Sequence, residues 1–248
     1  MPSSGRRNSL RWAAALFGFS LALSQIACQP ACLSQRLIVA SAGKITSLDP
    51  AQASTFDALQ LLSALGEPLY RLNHKGELEP RLASAPPQIS DGGLTISIPL
   101  RKDVLFHDGT HFNAAAMAFS LRRFLRIGTL NYVIGGRIAT VETASPYLLR
   151  LRLTRPSSSL EGLLTSINLT PISPTAYAKH RDQFLNKQFI GTGPYRLTSF
   201  QTQQQRLEPF QQYWSTQASN AGIDFINLSN STALFGALRS GEVDVLLS

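Results

Sequence analysis

Two of the four histidines in this sequence are spaced like a pair of metal ligands. His107 and His111 lie four residues apart, with Asp108 between them. Ligands at this spacing can bind one metal ion when they share a helix face, but Gly109 interrupts any helix across the segment. A polar turn that satisfies its own backbone is the simpler interpretation. We therefore predict no metal site.

A second candidate for chemistry is the glycine pair in the segment Gly191-Thr192-Gly193. The third glycine of a dinucleotide-binding loop is absent, and Pro194 has no N–H to donate to a phosphate. No serine lies in a nucleophile elbow, and no pair of acids stands at catalytic spacing. The sequence thus predicts no catalytic residue and no cofactor, and we do not expect an enzyme.

The composition sets the broad class of the protein. The chain has 248 residues, of which 44% are hydrophobic and 15% are charged. Such a chain can bury a core, which excludes wholesale disorder, a collagen and a simple coiled coil. The formal net charge of +8 comes from 23 Lys and Arg against 15 Asp and Glu, without dense basic tracts. A nucleic-acid partner is therefore not expected.

Residues 1–27 have the pattern of an export signal. Three arginines and no acid lie in the first eleven residues, and an apolar run of 16 residues follows from Trp12 to Ala27. A helix of that length rises about 24 Å, less than the roughly 30 Å of the hydrocarbon core of a bilayer. We predict export, with the membrane contacted through the signal or a lipid anchor.

Cys28 is the candidate for lipidation. Ile26-Ala27-Cys28 resembles the end of a bacterial lipoprotein cleavage box, although Gln25 stands where such boxes usually carry leucine. Alternatively, Cys28 belongs to the signal and cleavage falls after Ala27 or Ala31. Cys32 would then be a lone thiol or a partner for Cys28. Residues 28–35 are predicted to form a linker.

Hydrophobic periodicity predicts the elements that would position any site. Asn113 is the expected N-cap of one helix, and Arg150 and Arg152 alternate with leucines, which indicates a strand with one wet face. A Gln-rich turn is expected after residue 200. The mixture of strands and helices predicts an α/β (mixed α+β) fold. Predicted strands cover residues 36–40, 94–100, 138–143, 148–153, 196–200, 223–228 and 243–247. Predicted helices cover residues 56–72, with a break near Pro68, and residues 114–127, 176–184 and 231–240.

An ordered series of motifs resembles the bacterial extracellular solute-binding proteins of the peptide and nickel class (family 5), the receptors of ABC importers. The series runs from about residue 37 to residue 247, in the family's order. No single motif is specific to this family, but the ordered series as a whole is. The motifs are SLDP at 47–50, GEPLY at 66–70, GELEP at 76–80, LRKDV at 100–104, FHDGT at 106–110, FSLRR at 119–123, GTGPY at 191–195, YW at 213–214 and ALRSGEVDV at 237–245.

The resemblance implies a periplasmic-binding-protein-like type II lobe with an inserted subdomain. Family members are about twice as long as this chain, so the resemblance covers their N-terminal half and a second lobe is expected to be missing. Within this chain, residues 36–48 and 172–248 would form the first lobe, and residues 49–171 would form the inserted subdomain. The family-motif residues expected to shape this structure are Asp108, Gly109, Gly191, Gly193, Tyr195, Gly241 and Asp244.

The resemblance also implies a function in solute uptake. The chain would bind a peptide or other small solute in the periplasm, either free or as a membrane-anchored lipoprotein, and would deliver it to a complex of ABC permease and ATPase. Alternatively, it is a truncated or split receptor half without independent solute binding. For Tyr132, ordinary packing is the alternative to ligand contact. The candidate ligand-binding residues are Ser41, Ala42, Gly43, Asn131, Tyr132 and Val133.

Overall fold

The computed structural model describes residues 35–228 and 230–247. The predicted export signal, the lipidation candidate Cys28, Cys32 and all but the last residue of the predicted linker lie outside the described residues. Within the described residues, no helix combines the length and apolar character needed to cross a membrane.

The described residues form two larger sheets, one hairpin and several helices. In chain order the elements are β1 (Leu37–Ser41), α1 (Phe56–Leu65), β2 (Tyr70–Leu72), β3 (Leu78–Pro80), β4 (Gln88–Ser90), β5 (Thr95–Pro99), α2 (Ala114–Ile127), α3 (Asn131–Ile134), β6 (Ile138–Ser145), β7 (Leu148–Leu153), α4 (Leu160–Leu163), α5 (Pro174–Phe184), β8 (Tyr195–Gln201), β9 (Gln204–Pro209), β10 (Ile223–Asn227), α6 (Ser231–Ser240) and β11 (Val245–Leu247).

The five-stranded sheet has the order β11-β1-β10-β9-β8. β1 is parallel to both of its neighbours, β10 and β11, whereas β9 is antiparallel to β10 and β8. Apolar residues of β1 and β10, such as Val39 and Phe225, pack with α1 in one buried cluster. Ala40 packs with Leu234 and Ala237 of α6 in another. Successive residues of a strand point to opposite faces, so α1 and α6 cover opposite faces of β1.

The four-stranded sheet is antiparallel and has the order β4-β5-β7-β6. In β7 the buried Leu149, Leu151 and Leu153 alternate with the more accessible Arg150 and Arg152, which confirms the predicted wet face. The buried side packs against α2 in the largest apolar cluster of the described residues. The side chain of Asn113 accepts a hydrogen bond from the Ala116 N–H, so the predicted cap and the bounds of α2 are confirmed.

The helix predicted to start at residue 56 ends a few residues before the break expected near Pro68, and the residues beyond that break form a strand. α1 ends at Leu65, and Gly66 has an extended backbone, while β2 pairs with β3 beyond it. A Cβ on Gly66 would lie 2.2 Å from the Thr170 methyl carbon. Tertiary packing at Gly66 and strand pairing therefore override the helical periodicity of this segment.

The predicted Gln-rich turn covers only residues 202 and 203, and the glutamines that follow begin a strand, β9. Gln205 and Leu207 of β9 are buried, and β9 pairs with both β8 and β10. The predicted last strand also begins later than expected, at Val245, and it is partly exposed along its length. The division into 36–48 plus 172–248 and 49–171 remains a proposal; the five-stranded sheet draws its strands from the first set and the four-stranded sheet from the second.

Candidate functional site

The carboxyl ends of the three parallel strands define one edge of the five-stranded sheet. Ser41 of β1 is aligned with Asn227 of β10 and with Leu247 of β11. The helices α1 and α6 follow β1 and β10, so both begin from this edge. In sheets of this kind, ligands bind outside the carboxyl ends of the strands where connections diverge to opposite faces. This edge is therefore the candidate site.

Asn227 fixes the backbone of the loop that follows β1. Its Nδ2 donates to the carbonyl oxygens of Ser41 and Gly43, at 3.3 and 2.9 Å. The Ser41 hydroxyl also donates to the Gly43 carbonyl, at 3.3 Å. Ser41 is buried and Ala42 is exposed. Of the first predicted ligand-binding segment, Ala42 thus faces solvent and Ser41 holds the loop in shape.

Gly43 lies against the first turn of α1. An ideal Cβ at Gly43 would fall 1.8 Å from Oδ2 of Asp57. No real Cβ approaches an oxygen that closely, so a side chain here would displace the Asp57 carboxylate. The absence of a side chain at residue 43 allows the loop and the start of α1 to pack together.

A buried ion pair fixes the next part of the same loop. Both guanidinium NH groups of Arg123, on α2, donate to the carboxylate of Asp49, at 2.6 and 2.5 Å. Both side chains are almost completely buried. Asp49 Oδ1 also accepts a hydrogen bond from the Ala51 N–H, at 3.0 Å. The loop from β1 to α1 is therefore tied directly to α2.

The second predicted ligand-binding segment lies beside this loop. The Thr129 N–H donates to the Ala51 carbonyl, at 2.9 Å, just before α3 begins at Asn131. The Tyr132 side chain is 82% exposed, so it does not pack among the described residues, and its contact with a ligand stays a prediction. Val133 packs against the large apolar cluster. Asn131 Oδ1 is buried, and no described group hydrogen-bonds to it.

Phe56 is a candidate that the sequence analysis missed. It is the first residue of α1, and it is 53% exposed at the end of the loop that carries Ala42 and Gly43. The sequence analysis gave residue 56 only as the start of a predicted helix. Its position directly after the Thr55 cap was the signal that could have placed it at the helix start, outside the buried stripe.

The FHDGT segment forms the predicted polar turn. The Asp108 carboxylate accepts hydrogen bonds from Thr110 and, at 2.5 Å, from the hydroxyl of the buried Ser173. These hydrogen bonds to its ionised form hold the pKa of Asp108 below its usual value despite partial burial, which opposes them. Gly109 has a positive φ of 79°, which suits glycine.

His107 joins this turn to the GTGPY segment. Its Nδ1 accepts from the Gly191 N–H, at 3.3 Å, so its Nε2 carries the proton and donates to the Gly193 carbonyl, at 3.0 Å. Burial lowers the pKa of His107 to about 4, and the positive charge of Arg196 adds to this effect. His107 is therefore neutral at pH 7 and makes two hydrogen bonds to main-chain groups.

The glycines of the GTGPY segment lie against the end of α1. A Cβ on Gly193 would meet main-chain atoms of residues 64–66 at 2.5 to 2.7 Å, and one on Gly191 would lie 2.4 Å from the Leu65 carbonyl oxygen. The Tyr195 hydroxyl, next along the chain, donates to Asn220 Oδ1 at 3.0 Å. These residues thus make structural contacts in the interior, away from the exposed Ala42.

The remaining motif residues shape the connection from α6 to β11. Gly241 has a positive φ of 77° and ends α6 in the left-handed conformation. The Asp244 carboxylate accepts from the Ile38 N–H at 2.7 Å, while the Asp244 N–H donates to the Ile38 carbonyl at 2.9 Å. Asp244 therefore aligns β11 with β1.

Two further motifs of the resemblance meet around a buried carboxylate. Glu67 accepts hydrogen bonds from the Tyr213 hydroxyl and the Trp214 Nε1–H, both at 2.7 Å, and from the Arg81 guanidinium. The Arg101 guanidinium lies over the Trp214 ring, 4.0 Å from its centre. Within the described residues, no group of three or more His, Cys, Asp and Glu is arranged to hold a metal ion.

The fold with this site is that of a periplasmic binding protein lobe. A solved structure of such a protein, MoaA from A. tumefaciens R10 in complex with mannopinic acid, matches with a TM-score of 0.81 and 26% identity, over 87% of this chain and 45% of that chain. An ABC transporter substrate-binding protein from Sinorhizobium meliloti matches with a TM-score of 0.75 and 28% identity, over 84% of this chain and 42% of that one. The predicted mixed α/β fold of this type is confirmed.

The chain belongs to the bacterial extracellular solute-binding proteins, family 5, whose model (the part described as "Middle") matches residues 77–248. Among curated proteins, the glutathione-binding protein GsiB of Salmonella choleraesuis (strain SC-B67) is 32% identical over 207 residues. The match covers 82% of this chain and 39% of that relative. The chain therefore spans well under half the length of the curated relatives it matches. These relatives are named as binding proteins and not as enzymes.

Proposed function

We propose that this chain is part of the solute-recognition component of an ABC-type importer, which binds its solute outside the cytoplasmic membrane and delivers it to a permease and ATPase complex. Membership of the solute-binding family supports the proposal. The observation that carries it is the carboxyl edge of β1, β10 and β11, where a fixed loop leaves Ala42 and Phe56 exposed. Sheets of this kind bind ligands at this edge.

Within this proposal, six residues form or position the contacts with solute. Ala42 and Gly43 would present main-chain groups, and Tyr132 would present its exposed ring. Ser41 and Val133 would hold these two segments in place, as their contacts suggest, and Asn131 Oδ1, which has no hydrogen-bond partner among the described residues, would accept a hydrogen bond from the solute. An aromatic ring and main-chain N–H and C=O groups together suit a peptide, which offers both apolar side chains and a hydrogen-bonding backbone.

A peptide is the solute that we propose. A relative 32% identical over most of this chain is named a glutathione-binding protein, which favours a small peptide-like solute. The solved relative bound to mannopinic acid shows that the same fold accepts a different class of ligand. The identity of the solute is therefore decided by side chains at the edge and not by the fold.

The cellular location follows from the same proposal. We propose that residues 1–27 direct export, that Cys28 is lipidated, and that the protein acts in the periplasm or on a membrane through this anchor. The family description, extracellular solute-binding proteins, supports export. We also propose residues 36–48 and 172–248 as the first lobe and residues 49–171 as its inserted subdomain.

Titration of the full chain with a set of di- and tripeptides, with glutathione and with mannopinic acid tests the proposal by calorimetry. A saturable heat with at least one peptide is expected. Tyr132→Ala should then weaken binding about tenfold, which corresponds to about 1.4 kcal/mol. Ile89→Ala, at another exposed apolar residue on β4, is the matched control and should bind like the wild type. Equal affinity of both variants would exclude Tyr132 from the site.

A second candidate function is a receptor half without independent solute binding. The observation that favours it is the partial coverage of the relatives, because the match with this chain spans only 39% of the GsiB relative. Solute capture by two closing walls needs contacts from both of them. Under this alternative, no peptide gives saturable heat although the chain melts cooperatively. Micromolar binding by this chain would exclude it.

A further inference from the structure

A small pocket lies where the loop after β1 meets α2 and the segment before α5. Its volume is about 10 Å³. This is close to the minimum of about 10–15 Å³ that holds one water molecule. Its lining comes from three parts of the chain: Pro50 and Ala51, then Ser120, Arg123 and Phe124, and then Asn168, Thr170 and Ile172.

Thr170 supplies this pocket with an unsatisfied polar atom. The residue is 1% exposed, and no described group hydrogen-bonds to its Oγ1. Its methyl carbon faces Gly66, where an added Cβ would lie 2.2 Å from it. A buried hydroxyl without a partner destabilises the folded state, so such groups in folded proteins are nearly always satisfied.

The lining offers further hydrogen-bonding groups. The Ser120 hydroxyl donates to the Ala116 carbonyl and accepts from the Ile172 N–H, which leaves one of its lone pairs. The Pro50 carbonyl accepts from Asn168 Nδ2, which likewise leaves one lone pair. A water molecule needs two to four polar partners, and the lining residues provide at least three.

We propose that this pocket holds one structural water molecule, which accepts or donates a hydrogen bond at Thr170 Oγ1 and donates to the Ser120 hydroxyl and the Pro50 carbonyl. The site is independent of the proposed solute-binding function. It lies between residues 50–51 and residues 168–172, the two places where the chain passes between the parts that form the two larger sheets. The water would thus link residues 50–51 and residues 168–172 to α2.

The direction in which one substitution shifts the midpoint of thermal unfolding tests the proposal. Thr170→Val replaces the hydroxyl by a methyl group of similar size. If a water is bound, the variant leaves it short of a partner, and the midpoint of thermal unfolding should fall by about 2–4 °C. Without a water, the variant removes an unsatisfied hydroxyl from the interior, and the midpoint should stay the same or rise. Thr170→Ser keeps the hydroxyl and removes the methyl group, so it separates the loss of the hydroxyl from a loss of packing.

Thr192→Val is the matched comparison. Thr192 is fully buried, its Oγ1 also has no described partner, and it is not among the residues that line this pocket. This variant is expected to melt at or above the wild-type midpoint. A Thr170→Val midpoint that follows Thr192→Val, or a high-resolution crystal structure of the wild type without a water at about 2.6–3.2 Å from Thr170 Oγ1, would overturn the proposal.

Discussion

His107 is a buried base that the fold holds in its neutral form. Its Nδ1 accepts a hydrogen bond from Gly191, and protonation of Nδ1 would break that bond. Burial lowers the pKa of His107 most, and the charge of Arg196 adds to this effect, whereas the hydrogen bond to the Gly193 carbonyl and the charge of Asp108 raise the pKa. Because the lowering effects are the larger, the pKa of about 4 lies well below the ordinary value of 6.5.

This pKa predicts a loss of stability in mild acid. Between pH 6.5 and about 4 the unfolded chain binds a proton at His107 that the folded chain does not, so stability falls as the pH falls through this window. The full effect is about 3 kcal/mol. Chemical denaturation at pH 7.5 and at pH 5 should show a smaller difference for His107→Gln than for the wild type. The exposed His74→Gln is the control, and equal pH dependence of all three proteins would contradict the prediction.

Gly193 lies where two backbone segments approach each other closely. A Cβ at residue 193 meets three main-chain atoms of residues 64–66 within 2.7 Å, and main chain cannot move aside as a side-chain end can. Gly193→Ala should therefore lower the free energy of unfolding by about 2 kcal/mol or more. In Gly236→Ala the new methyl meets nothing within 4 Å on α6, so this control should gain up to about 1 kcal/mol. Urea denaturation of both variants measures the contrast, and similar values would refute it.

At single residues, the sequence was more informative about turns than about exposure. Asn113 and Gly241 were predictable as caps because cap chemistry is local. The exposure of Tyr132 and Phe56 was harder to predict, because an aromatic residue near apolar neighbours can lie either in a core or at the surface. The buried partners of His107 lie more than 80 residues away in the chain, and no local pattern indicates them.

The loop between β1 and α1 is the element that shapes the candidate site, and the Asp49–Arg123 pair is its main anchor. Both side chains are about 95% buried. Arg123→Met would leave the Asp49 carboxylate buried without its charge partner, and we expect a loss of about 3–5 kcal/mol in the free energy of unfolding. Because the carboxylate is the source of this cost, the double variant Asp49→Asn, Arg123→Met should lose less than Arg123→Met alone.

An exposed ion pair provides the comparison for this element. Arg71 and Glu79 pair across the β2–β3 hairpin, at 2.7 Å, with both side chains largely in solvent. Arg71→Met should cost less than about 1 kcal/mol because solvent screens such pairs. Equilibrium unfolding in urea gives both values. A cost for Arg123→Met no greater than that for Arg71→Met would show that the buried pair does not anchor the loop.

Among the elements, those that bury a regular apolar stripe were predictable and those defined by pairing were not. α2, β7 and α6 have the predicted bounds because their periodicity and caps agree. β2, β3 and β4 have three residues each, and their pairing depends on partners elsewhere in the chain. Buried and more accessible residues alternate along the first part of β9, a pattern that indicates a strand. The polar glutamines obscured this alternation in the sequence, because one of the buried positions is a glutamine.

On the scale of the whole molecule, an exposed apolar surface accompanies the incomplete pairing of β11. β11 is the edge of its sheet and is paired on the β1 side, within the described residues. Val245 of this strand is 38% exposed, and Phe235 and Leu238 of the neighbouring α6 are 68% and 41% exposed. Unprotected edge strands and exposed apolar residues both promote association between chains.

This surface predicts concentration-dependent self-association of the chain. Phe235 and Leu238 lie three residues apart on α6, so they share one side of the helix. The double variant Phe235→Lys, Leu238→Glu should raise the monomer fraction in sedimentation experiments, because charged side chains on that side cannot be buried without cost. Leu72→Lys, at a 55% exposed residue of β2, is the control and should associate like the wild type. A wild-type chain that stays monomeric across the concentration range would contradict the prediction, and equal relief by Leu72→Lys would move the associating surface away from α6.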